Sequence, residues 1–299
     1  MERISPEAKK RYAEKIKEYK QRVDTIQEAG RKSETLIQGR LRQSGLGGGR
    51  FRVDTPEEYA ALQEINQTRY ELSGEYLSLV ADFNLMNELS LSLLGIKNEG
   101  YLNDARKCCY RCIINMEEIV SPYVDAAFSD YEQGLDSIAE VSDQARYDFV
   151  RKLGFAIDSV IEGFGANSKW KWSFVELAGR YAVITKNLMN LKTFVGRLDP
   201  RVEGYSERLA HMQLAKRLLQ QAADRYREKY ELSTMRLDDI KQAILFLAAL
   251  RRLHTLLGEV EEAEVIKKKI EIWKTKMETD QKKKEQDLRL AKLRRGQDG

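Results

Sequence analysis

Thr55-Pro56-Glu57-Glu58, followed by Leu62, Ile65, Arg69, Leu72, Tyr76, Leu79, Phe83 and Met86 and closed by Gly95, sets the fold class of this chain. Thr55 and Glu58 form a capping box in which each side chain satisfies an orphan backbone N–H at the start of a helix, and Pro56 at the first helical position forfeits no hydrogen bond. The residues behind it recur at spacings of three and four, with one polar interruption at Arg69. Glycine at 95 is suited to the left-handed C-cap. A helix of roughly 39 residues is about 58 Å long, more than a compact globule needs and suited to an elongated bundle.

The same alternation extends on either side. Ser5 and Pro6 open an earlier helix whose Tyr12, Ile16, Tyr19, Val23 and Ile26 form a narrow seam. Gly45, Gly47, Gly48 and Gly49 end it and are the candidate hinge. Downstream, helices are expected at about 99–120, 128–139 and from Ser142, the last with Tyr147, Val150, Leu153, Ile157 and Ile161 on one face. After the break at 163–168, Phe174, Leu177, Tyr181, Ile184, Leu188, Leu191 and Val195 read as one further helix. Asp199-Pro200 marks a turn. Helices at about 205–231, 234–257 and 259–293 finish the chain. Four prolines in 299 residues leave little room for any other class. The expected fold is all-α: elongated, bent antiparallel bundles of about eight or nine long helices. The expected parts are an N-terminal arm and hinge (1–50), a first bundle arm (51–165) and a second (166–299) with a basic tail. There is no clean 34-residue period, so a tetratricopeptide array is not expected.

Composition restricts function. The 51 basic and 47 acidic residues are interspersed and give a net charge of only +4, unlike the concentrated basic surface of a nucleic-acid binder. No apolar run approaches the length of a transmembrane helix. Residues 1–6 are polar, so the expectation is a cytosolic chain or one that starts after a removed export signal.

The candidate chemistry is sparse. Cys108, Cys109 and Cys112 lie within one helical turn of each other and lack a nearby fourth ligand, since His211 and His254 belong to other helices. Buried free thiols are the first reading, with intermolecular crosslinking and metal binding as alternatives. His254 suits a helix C-terminus. The glycines at 45–49 carry no phosphate-loop signature. No catalytic residue, cofactor, metal site or small-molecule substrate is expected. Candidate protein-interaction residues are aromatic: Trp170 and Trp172, which one stripe cannot easily bury together, and Tyr226 with Tyr230, one turn apart. Between Lys274 and Arg295 nine basic and four acidic residues form a tail that reads first as solvated helix.

Several segments of the carboxy-terminal half resemble the flagellar coiling protein A family of spirochaetes, best known in Leptospira. They are Trp170-Lys-Trp-Ser-Phe-Val-Glu-Leu-Ala-Gly-Arg-Tyr181, Asp199-Pro200-Arg201 with Glu203-Gly204-Tyr205, the run Tyr226–Ile240, and Ile266–Met277. The likeness spans about residues 98–278 and leaves out the first 50. It implies a non-enzymatic, helical, V-shaped protein that coats the periplasmic flagellar filament as a sheath component. By implication it shapes filament coiling and supports motility, with the flagellar core, other sheath proteins and copies of itself as partners. The absence of a visible export signal departs from that family and leaves a cytosolic helical adaptor, holding a protein partner, as the alternative.

Overall fold

The computed structural model describes residues 5–46, 53–165 and 168–295, with side chains as far as residue 286. It is all-α, and no strand occurs among the described residues. The helices are α1 (Pro6–Ser44), α2 (Pro56–Leu94), α3 (Glu99–Val120), α4 (Phe128–Asp136), α5 (Asp143–Phe164), α6 (Lys171–Asn187), α7 (Leu191–Phe194), α8 (Tyr205–Lys229), α9 (Leu237–Leu256) and α10 (Val260–Arg295). They form two compact units, Met1–Met212 and Gln213–Gly299, so the division falls within α8.

The helix ends follow from the capping residues. Ser5 Oγ accepts from the Ala8 amide at 3.1 Å, and Gly45 ends α1 at φ 68°. The Thr55 box closes at both halves, through Glu58 N to Thr55 Oγ1 and Thr55 N to Glu58 Oε2. Gly95, at φ 64°, returns its amide to Leu91 O at 2.9 Å. Gly45 is therefore a helix cap; Gly47, Gly48 and Gly49 lie outside the described residues.

In the first unit α2 is the axis. α1, α3 and α5 all pack on it, which is why α2 buries positions on several faces, including Ile65, Leu72, Leu79, Val80 and Met86. α1 meets it through Ile16, Val23, Gly30 and Ile37, each seven residues from the next. Gly30 allows the close crossing: a Cβ there would stand 3.3 Å from Leu72 Cδ1. Burying each of the three aliphatic side chains contributes about 1.5–3 kcal/mol. Charge sets the register, because the buried carboxylate of Asp82 on α2 is gripped by both Nε and Nη2 of Arg22 on α1.

One expected helix is corrected. The stripe from Phe174 to Val195 is not continuous, because α6 stops at Asn187. The Asn187 side chain turns inward to donate to the carbonyl oxygens of Ser121 and Tyr123. Asn190 then caps the short α7 by accepting from the Thr193 amide, and a 3-10 turn follows at Val195–Arg197. The period of three and four runs through the break, so it gave no warning.

In the second unit α9 and α10 pair along Ile240, Ile244, Leu247, Ile266, Ile270 and Trp273. Trp273 lies between Lys269 and Arg227, whose charged groups sit 4.9 and 5.3 Å from its ring centroid. A π-helical turn, Tyr230–Thr234, ends α8, and Met235 takes a positive φ of 47° to reverse the chain. Asp239 steadies that reversal by accepting from Thr234 Oγ1 at 2.6 Å and pairing with Lys229 at 2.9 Å.

Candidate functional site

Of the four aromatic candidates, two are internal. Tyr226 stacks on Phe246 with ring centroids 5.6 Å apart, and Tyr230 is 1 % exposed. The Tyr230 hydroxyl donates to Asp280 on α10 at 2.7 Å; burial and that acceptor push its pKa up to about 12. The partner-facing role expected for these tyrosines is therefore corrected. They sit on the inner face of α8, one turn apart, and hold the second unit together. Tyr230→Phe is expected to cost about 1–2 kcal/mol, the worth of a hydrogen bond to a partly exposed carboxylate, read as a lower urea midpoint.

Trp170 and Trp172 are both half-buried. Trp170 is the N-cap of α6 rather than a helical residue, which separates it from Trp172. Its ring packs edge-on against Phe164 and beneath the Arg106 guanidinium, 4.2 Å from the centroid. Lys171 lies over Trp172 at 4.8 Å. Each indole thus keeps a partly exposed ring beside a cation.

The three cysteines are buried and unbridged. Burial pushes the Cys108 thiol up to about 12 and raises Cys109 and Cys112 as well. Such thiols are poor nucleophiles and poor metal ligands. Among the described residues no three His, Cys, Asp or Glu side chains are disposed to hold a metal ion. No helix of the described residues is long and apolar enough to cross a membrane.

The densest polar cluster was not foreseen from the sequence. Arg146 on α5 is buried and donates to the carbonyl oxygens of Ile138, Val141 and Leu188. Arg208 on α8 donates to Glu203 O, Arg197 O and Val202 O, and to Asp143 Oδ2 at 2.7 Å. Arg197 pairs with the same Asp143 oxygen at 3.3 Å. His211 completes the cluster, its Nε2 donating to Thr185 O at 2.8 Å. The two buried guanidinium groups are occupied in holding loop carbonyls, so the cluster clamps three chain reversals. An open cleft of about 560 Å³ lies beside it.

The larger concavity is a groove of about 940 Å³ between α2 and α5. Its α2 wall presents Gly74, Leu77, Ser78 and Ala81; its α5 wall presents Ala145, Asp148, Lys152, Phe155 and Ser159. Phe155 is 76 % exposed, the most exposed large apolar side chain among the described residues. The α5 positions recur at three and four, the signal that could have revealed them. The buried face of α5, with Val150, Leu153 and Ile157, carries the stronger apolar stripe and overlies this second one in the sequence. What the groove can do is accept a helix: its floor is small and apolar and its α5 rim carries both signs of charge.

No curated protein matches the chain. A family model does match, over residues 57–281, a span that begins at the first turn of α2, ends within α10 and leaves α1 out. That span is well over half of the chain, and the protein therefore belongs to the TP0443 family, which is named for a protein of the spirochaete Treponema.

Proposed function

We propose that the protein is a non-enzymatic structural component that coats the periplasmic flagellar filament of a spirochaete, contributing to filament curvature and so to motility. The observation that carries the structural half of this reading is where the charges go. Buried or half-buried ionic groups join helix to helix, as Asp82 does with Arg22, Glu117 with Arg180, and Asp143 with Arg208. Among the described residues these groups are committed to one another across helix contacts, and Asp143 and Arg197, which face the 560 Å³ cleft, are paired together. Membership of a spirochaete-named family and the resemblance of residues 98–278 to flagellar coiling proteins support the flagellar half.

The expected result is that purified periplasmic filaments contain this protein by mass spectrometry, and that deleting its gene straightens them. Filaments that lack the protein, or that keep their curvature without it, would overturn the reading. The α2–α5 groove favours one alternative, a helical adaptor in the cytosol. Recovery in the cytosolic fraction with one soluble partner would replace the sheath assignment with that one.

A further inference from the structure

We infer that the α2–α5 face is the interface of a homodimer in which the α5 helices of two copies lie antiparallel, each in the other's groove. The inference concerns how one copy meets another and does not rest on the flagellar reading. A lone exposed phenylalanine is ordinary on a protein surface. Here, however, Phe155 stands on the rim of the 940 Å³ groove, so one face offers both a projecting side chain and a recess. A self-complementary patch of that kind is what a two-fold interface requires.

The recess is suited to a helix. Gly74 on α2 is open: a Cβ built there meets nothing within 4 Å. Ser78 and Ala81 continue the small-residue floor, and Leu77 and Ala156 are buried beneath it. The α5 wall supplies a seam, Ala145, Asp148, Lys152, Phe155 and Ser159, with the alternating spacing of helix pairs.

Charge then selects the second copy as the occupant and fixes the register. Asp148 and Lys152 lie one turn apart on the rim with opposite sign, and Asp148 also pairs with Arg151 of its own helix at 3.7 Å. In an antiparallel pair centred on position 150, Asp148 of each copy faces Lys152 of the other, which makes two ion pairs. The same centring sets Phe155 opposite the small side chain of Ala145 on the α5 wall, and does so twice. Charge pairing and steric fit therefore call for one and the same alignment. A parallel alignment would place like charges together instead, at a cost.

Sedimentation equilibrium on the full chain tests this. The wild type is expected to show a reversible monomer–dimer equilibrium. Phe155→Asp should weaken it by about 30-fold or more, the range of a central anchor residue. Gly74→Leu should do the same from the opposite wall, by filling the floor from α2. Lys152→Asp should also weaken the dimer, and Asp148→Lys with Lys152→Asp should restore it. Far-UV circular dichroism and urea midpoints identify any variant that has lost its fold. A wild type that stays monomeric throughout overturns the inference, as does a dimer indifferent to both Phe155→Asp and Gly74→Leu. Failure of the charge swap to restore association overturns the antiparallel register. A stable dimer absent from filaments would remove the sheath reading and leave this one standing.

Discussion

Gly134→Ala is expected to destabilise the first unit by about 2 kcal/mol or more, although alanine is the better helix former. Gly134 is buried in α4, and a Cβ there would run into the backbone carbonyl oxygen of Ile119 in the last turn of α3. Backbone cannot swing aside as a side-chain end can, so α4 must shift as a body. That shift would loosen Tyr131 and Leu135, each 1 % exposed. It would also disturb the chain of hydrogen bonds in which Asn66 Nδ2 donates to Ser137 Oγ and Ser137 Oγ donates to Gly134 O. Overpacking of this kind costs about 3 kcal/mol, against about 1 kcal/mol returned by helix propensity. Gly39→Ala in α1 is the control, because its added methyl meets nothing within 4 Å. It should be neutral or stabilising by up to about 1 kcal/mol. Equal urea midpoints for Gly134→Ala and the wild type would refute the account.

These glycines show what a sequence can and cannot announce. Gly95 was legible as a cap because a left-handed C-cap is a local requirement, met within a few residues; Gly45, read from the sequence as part of a hinge, meets the same requirement in the structure. Gly134 and Gly30 are constrained by contacts with other helices, at Ile119 and Leu72, and nothing adjacent marks them. The same distinction separates the rest of the fold. The axis α2, the seam of α1 and the all-α class follow from periodicity and capping, both short-range. The stop of α6 follows from Asn187 reaching carbonyls more than 60 residues earlier, a tertiary preference invisible to spacing. Tyr226 and Tyr230 were misplaced for a related reason: tyrosine suits a wet rim or a core that offers its hydroxyl an acceptor, and the acceptor, Asp280, is 50 residues away. Arg146 and Arg208 look in sequence like any arginines on solvated helices. Only the folded chain brings loop carbonyls to them. For the groove, the sequence carried half the signal, the second stripe on α5. The other half is the small-residue floor from α2, and joining the two requires the fold.

The buried histidine gives a pH effect on the acid side. His211 lies among Asp143, Arg146, Arg197 and Arg208, with the Tyr147 ring 6.1 Å away and Thr185 O accepting from Nε2. Burial is the main cause of a pKa lowered to about 4, and Arg146 adds to it; the Thr185 carbonyl and Asp143 oppose it without prevailing. In the unfolded chain the same imidazole titrates near 6.5. The folded form therefore binds its proton less readily than the unfolded form. The stability contributed by neutral His211 is fully present above about pH 6.5 and falls as the pH drops towards 4, with a total loss of about 3 kcal/mol. Carboxylates begin to titrate at the lower end of that window, so the wild-type curve alone is ambiguous. His211→Gln separates the two contributions, since an amide can still donate to Thr185 O but does not titrate. The variant should be less stable than the wild type at pH 7, where it gives up the packed ring. Its stability should then change little between pH 6.5 and 5, so that the two curves converge on acidification. Parallel curves over that interval, from urea titrations at each pH, would mean that His211 does not carry the acid sensitivity and that its proton is bound as readily in the folded unit as outside it.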